Sequence, residues 1–260
     1  MRLRVSFKVP KSLSSGPEPL RSEVSRLFEE AFRTLRSTLL LRVREGDKTF
    51  LVTSARPGEG KSTVVVNLAR MLAAGNRNVL LVDADLRRPR LHKIFGIDDP
   101  RGLTEVLTGA VAPKVVYHRV ENGLTVLTSG RLPSDPQELL LGKNLESVVS
   151  LIKNDFDMVL FDSAPVLAFA DTTLLAPRMD GVIVVLKSGE VTTSEAILVR
   201  DRLRSVHAKL AGCVLTCVPN LYLQPYHPYT RTYFEQSEAS SASSFTSSIH
   251  RFSPPREAKS

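Results

Sequence analysis

The chain has no tryptophan and only two cysteines, Cys213 and Cys217, among its 260 residues. Two thiols exclude a disulfide framework and a four-cysteine zinc site. The two lie four residues apart in a predicted strand, roughly 13 Å by strand rise, so they do not pair and are read as core residues. Aromatic residues make up 6% of the chain. That is poor material for the stacking platform that grips single-stranded nucleic acid, and no nucleic-acid partner is expected. No apolar run approaches the ~18–20 residues of a membrane span. The N-terminal stretch has neither a long apolar core nor a small-residue cleavage site, so a signal peptide is not expected. The five histidines make no metal-ligand spacing. On these absences a cytoplasmic location is expected.

Hydrophobic residues reach 42% and charged residues 24%, which permits a packed core and excludes global disorder. The net charge of +8 is compatible with nucleic acid, anionic membrane or phosphate-rich ligands, and selects none of them.

Three regions follow from composition. Residues 1–20 mix Lys, Arg, Ser, Pro and Gly without periodicity and read as a flexible arm. Residues 21–219 read as one folded domain, and 220–260 as a disordered tail, Ser-rich over 235–250. Within the domain, apolar residues recur at helical spacing from Glu23 to Arg42. Short runs then alternate with helices: strands at 50–53, 79–82, 124–127, 158–161, 181–186 and 210–218, helices at 62–74, 145–153 and 193–206. Alternation of this kind predicts an α/β fold, a doubly wound and mostly parallel sheet with helices on both faces.

The most specific segment is Ala55-Arg56-Pro57-Gly58-Glu59-Gly60-Lys61-Ser62-Thr63. It follows a strand and opens a helix, the setting of a phosphate-binding loop. Glycines at 58 and 60 let backbone N–H groups approach phosphate oxygens, and the helix N-terminus adds partial positive charge. Lys61 supplies a full charge, and the Ser62 hydroxyl is a Mg²⁺ ligand. Residues Arg56, Pro57, Gly58, Glu59, Gly60, Lys61, Ser62 and Thr63 are therefore the predicted nucleotide contacts. Ala55 replaces the first glycine of the usual pattern, where a small side chain leaves enough room. Asp83 and Asp85 follow one strand and Asp162 ends another. Three carboxylates beside a triphosphate would repel without a cation, so a bound metal is predicted, with Ser62 and Asp162 as candidate ligands.

With those residues in hand, TSARPGEGKSTVVVNLA, VLLVDADLRRPRLHKIFGI and FDMVLFDSAP resemble the bacterial protein-tyrosine kinases of the polysaccharide-export type, within the MinD/ParA group of phosphate-loop ATPases. The similarity spans residues 23–218. It implies an ATP-dependent autokinase using Mg²⁺, with Lys61 holding ATP and Asp83 and Asp85 as the second acidic motif. Of these two, Asp83 is assigned as the base for the tyrosine hydroxyl and Asp85 as the metal partner. Glu30, Arg33 and Arg36 resemble the family's oligomerisation element, implying a homo-oligomeric ring. A separate transmembrane partner governing polysaccharide chain length is implied too, with the kinase attached peripherally to the inner membrane face. Ser163 and Thr216 stand where the family commonly has Thr and Asn. An ATPase switch without kinase activity is the alternative.

Four of the five tyrosines, Tyr222, Tyr226, Tyr229 and Tyr233, cluster after the last predicted strand. Pro225 and Pro228 oppose a helix there, so the segment is read as extended and accessible. Parallel strands end on one edge, which releases this tail on the nucleotide side, and ~10 residues span on the order of 17–19 Å. The four are therefore the predicted phosphoacceptors. Arg87, Arg88, Arg90 and Lys93 form a basic cluster, read either as a phosphate contact or as a solvated loop.

Overall fold

The computed structural model describes residues 3–6 and 18–218, with side chains from residue 29 onward. The tyrosine cluster and the boundary at 219/220 lie outside the described residues.

Eight strands form one sheet: β1 (Leu3–Ser6), β2 (Thr49–Ser54), β3 (Val79–Ala84), β4 (His118–Glu121), β5 (Leu124–Leu127), β6 (Met158–Ser163), β7 (Gly181–Lys187) and β8 (Leu210–Thr216). Their order is β1-β8-β7-β2-β6-β3-β5-β4. All neighbours are parallel except β4 and β5. Eight helices accompany them: α1 (Glu18–Arg44), α2 (Lys61–Ala73), α3 (Leu91–Phe95), α4 (Leu103–Leu107), α5 (Pro136–Leu141), α6 (Asn144–Asp155), α7 (Asp171–Leu175) and α8 (Thr193–Ser205).

Strands β2, β3 and β6 are buried along their whole length, as expected of apolar runs covered on both faces. Alternate residues feed opposite cores. Phe50, Val52, Val79 and Leu81 pack with Phe32, Leu35 and Leu39 of α1 and Val65, Leu68 and Leu72 of α2. Leu51, Leu80, Val82 and Phe161 pack with residues of α4, α6 and α8, among them Leu103, Ile152 and Leu203. The doubly wound expectation holds.

The chain leaves β2, crosses to β3, and later inserts β6 between them. The strand order therefore switches direction at β2, β6 and β3, where parallel α/β sheets open a ligand crevice at the carboxyl edge. Asp162 of β6 is level with Asp83 of β3 and with Val52 of β2. The loop after β2 and the two carboxylates are thereby brought to one point.

Besides the short helices α3, α4, α5 and α7, three features were not anticipated. Leu3–Ser6, inside the stretch read as an arm, form edge strand β1 paired with β8. Strand β4 was passed over because it has only four residues of alternating exposure. Its turn, Asn122-Gly123, is a strong hairpin signal. Gly123 has φ +74°, and a Cβ there would lie 2.8 Å from the Arg77 carbonyl oxygen. Finally, β8 ends at Thr216, so Cys217 is not a strand residue. It adopts a left-handed φ of +54° and is half-buried beside the nucleotide cavity described below.

Candidate active site

The loop 55–60 leaves β2 and enters α2. Gly58 and Gly60 have φ of +84° and +89°, the left-handed region where only glycine is unstrained. Gly60 caps α2, and the first turn of that helix carries no acidic residue. Its N–H groups are thus available to an anion.

Two residues stabilise this loop from behind: Glu59, expected as a nucleotide contact, and Thr216, expected at the base-binding position. The Glu59 carboxylate, 2% exposed, accepts from the Ala55 N–H at 2.8 Å and the Arg56 N–H at 3.1 Å through one oxygen, Oε2. Burial raises its pKa, opposed by those same N–H groups. The Thr216 hydroxyl at the end of β8 donates to the Glu59 carbonyl at 2.8 Å, and its methyl group would meet a Gly60 Cβ at 3.6 Å. The strand end expected at the base-binding position therefore supports the loop itself.

Lys61 lies between two carboxylates, with Nζ 3.5 Å from Asp85 Oδ2 and 3.4 Å from Asp162 Oδ1. Asp85 Oδ1 accepts from the Arg88 N–H at 3.0 Å. Asp162 is buried, which raises its pKa, opposed by Lys61 and Ser62. Asp162 Oδ1 makes no hydrogen bond among the described residues.

Asp83 is placed differently from Asp85. Its Oδ2 accepts from the N–H groups of Arg90 and Leu91, both at 2.9 Å. Its side chain is fully buried, and burial beside Asp162 pushes its pKa up to about 7. It does not line the cavity, whereas Asp85 does. Asp83 thus anchors the turn that follows β3, and of the two it is Asp85 that lines the cavity. Because β3 ends at Ala84, Asp85 lies beyond the pleat that holds Asp83.

The cavity has a volume of ≈ 560 Å³ and is lined by residues 57–63 together with Asp85, Phe169 and Lys187. Arg56 does not line it. Its guanidinium pairs with Glu195, which closes a capping box with Thr192 at the start of α8. The basic cluster divides. Arg87 makes a bidentate pair with Asp171 at 2.7 and 3.0 Å and stacks 4.3 Å over the Phe169 ring, so it is a structural tie. Arg88 and Arg90 line the cavity, and Lys93 lines a second, larger one.

Of the α1 triad, Arg33 is exposed and pairs with Glu29 and Glu30, each at 3.5 Å. Arg36 is half-buried against the turn after α2, where a Cβ on Gly75 would lie 2.1 Å from its Nη2. The three residues are therefore split between an exposed ion cluster and the α1–α2 contact.

A phosphate loop at the switch point of a parallel sheet, with a lysine between acidic strand ends, defines a phosphate-loop nucleotide-binding protein. Residues 47–210 match the family described as AAA domain. The tyrosine-protein kinase YwqD of Bacillus subtilis is 37% identical over 196 residues, 75% of this chain and 83% of that protein. A putative tyrosine-protein kinase in the cps region of Klebsiella pneumoniae is 30% identical over 211 residues, 80% of this chain and 28% of that protein. The kinase domain of the Escherichia coli tyrosine kinase ETK superposes with a TM-score of 0.74 at 26% identity, covering 82% of this chain and 89% of that domain. The chain belongs to the bacterial tyrosine-protein kinases of the phosphate-loop ATPase class. It spans about a quarter of the length of the longer curated relatives.

Proposed function

We propose that this chain is an ATP-dependent tyrosine autokinase whose acceptors are Tyr222, Tyr226, Tyr229 and Tyr233, phosphorylated between subunits of a homo-oligomeric ring. The observation that carries the reading is Lys61 held between Asp85 and Asp162 on a phosphate loop, in a chain whose relatives are named tyrosine-protein kinases. The loop amides and Lys61 hold the β- and γ-phosphates. The tyrosine oxygen forms a bond to the γ-phosphorus while the bond from that phosphorus to the β,γ-bridging oxygen breaks, and ADP leaves. Asp85 takes the phenolic proton, because it is the carboxylate of the pair that faces the cavity.

The Ser62 hydroxyl and the carboxylates of Asp85 and Asp162 are hard oxygen donors suited to Mg²⁺, and the unbonded Asp162 Oδ1 supports the fit. Among the described residues no group of three or more His, Cys, Asp or Glu side chains forms a self-sufficient metal site. That suits an ion which takes its other ligands from phosphate and water. Bound there, Mg²⁺ offsets the negative charge of the phosphate oxygens.

No helix among the described residues is long and apolar enough to cross a membrane. We place the kinase on the inner membrane face through a separate transmembrane partner, regulating polysaccharide synthesis and export. The Klebsiella relative, a putative tyrosine-protein kinase of the cps region, supports that setting.

The test is incubation of the protein with Mg·ATP followed by mass-spectrometric mapping of phosphotyrosine, with Lys61→Met as control. Modified tail tyrosines in the parent and none in the variant are expected. Steady ATP hydrolysis with no modified tyrosine would favour an ATPase switch instead.

A further inference from the structure

Beside the nucleotide cavity lies a second cleft of ≈ 910 Å³. The two share Ser62, Thr63, Arg88 and Arg90. Since Ser62 and Thr63 open α2, where a terminal phosphate sits, the larger cleft reaches the same phosphate from the other side.

Charge accounting gives this cleft a preference. Arg87 is neutralised by Asp171, and Asp99 at the cleft is engaged by Arg101. Arg88, Arg90 and Lys93 make no ion pair among the described residues, and of the cleft's carboxylates only Asp98 also has no ion-pair partner. The mouth is thus a cationic rim. Its walls carry apolar side chains that are unusually open: Ile94 is 43% exposed and Leu132 is 61% exposed. A site with a basic rim and an apolar wall fits an acidic peptide segment that also carries an aromatic side chain.

The chain's own sequence contains one such segment. Residues 219–234 hold no Asp or Glu, so Tyr222, Tyr226 and Tyr229 lack nearby carboxylates. Tyr233 is followed by Phe234, Glu235 and Glu238. We infer that the cleft is the acceptor groove, that Arg88, Arg90 and Lys93 select tyrosines followed by carboxylates, and that Tyr233 is the preferred acceptor of the four. The inference rests on the autokinase reading above.

The experiment is a time course of site-resolved phosphorylation in the full chain, for the parent and for Glu235→Gln/Glu238→Gln. Tyr233 is expected to be modified first. The double variant should slow Tyr233 about tenfold, the effect of two modest charge contacts, and leave the other three tyrosines at parent rates. A charge exchange adds a second readout. Lys93→Glu should raise the KM for a synthetic peptide of residues 229–240. A peptide carrying Glu235→Lys and Glu238→Lys should restore it, and added salt should weaken the effect. Equal rates at all four tyrosines, or no rescue by the reversed peptide, would overturn the groove assignment while leaving the autokinase standing. Absence of phosphotyrosine from every position would overturn both.

Discussion

Asp83 and Asp85 stand two positions apart and do different work. Asp83 is committed to the N–H groups of Arg90 and Leu91, while Asp85 faces Lys61 and the cavity. Asp85→Asn should therefore keep the fold and lower phosphotransfer by two orders of magnitude or more, about the cost of removing one catalytic general base or charge contact. Asp83→Ala should lower stability by about 2–4 kcal/mol, since two N–H groups behind it lose their acceptor. Urea melts and autophosphorylation rates of the two variants separate the roles. Glu59 offers a cleaner contrast. Because one of its oxygens accepts both loop N–H groups, Glu59→Gln retains the brace and Glu59→Ala removes it. The alanine variant is expected to bind ATP about five- to 150-fold more weakly by calorimetry, from ~1–3 kcal/mol of unmade hydrogen bonding. The glutamine variant should stay close to the parent. Parent-like affinity in the alanine variant would show that the loop holds its shape without the carboxylate.

At the scale of elements, the far end of the sheet is closed by Asp180, just before β7. It accepts from the N–H groups of Lys48 and Thr49, from the Thr49 hydroxyl and from Lys153 of α6, at 2.8–2.9 Å. Burial alone would raise its pKa, but Lys153 and the donors of Lys48 and Thr49 outweigh this and hold it at about 2. A depressed carboxylate pKa stabilises the folded state above the unfolded value near 3.9, and that contribution is lost as pH falls toward 2. Asp180→Asn should thus cost about 2 kcal/mol at pH 7. The difference from the parent should shrink between pH 4 and pH 2 in denaturation curves. A constant difference over that range would exclude a charge effect. The same elements mark how much was readable in advance. Strands β2, β3, β6 and β7 were legible because burial on both faces leaves an unbroken apolar run. The loop at 58–60 was legible because a left-handed backbone demands glycine. Strand β4 was missed because four residues on an exposed edge need no particular composition.

At the scale of the whole molecule, the α1 triad separates assembly from folding. Arg33 is exposed with Glu29 and Glu30, and Arg36 packs over Gly75. If α1 supplies the ring contact, Arg33→Glu should dissociate the oligomer by light scattering and leave the melting temperature of the subunit nearly unchanged. Arg36→Ala should lower that temperature by a few degrees, the scale of about 1 kcal/mol in a domain of this size. An oligomer that survives Arg33→Glu would remove this helix face from the interface.

The order of strands and helices, the phosphate loop and the carboxylates at strand ends were fixed by sequence. Each is a local requirement of the backbone or of a face to be buried, and such requirements select residue types at short spacing. Which carboxylate lines the cavity, where Arg56 points, and how the basic cluster divides were decided only by tertiary structure. Arg87 finds Asp171 84 positions away, Arg56 finds Glu195, and Thr216 reaches the Glu59 carbonyl 157 positions away. Partners so distant are chosen by the sheet's strand order, which places them together without leaving a spacing that the chain itself records.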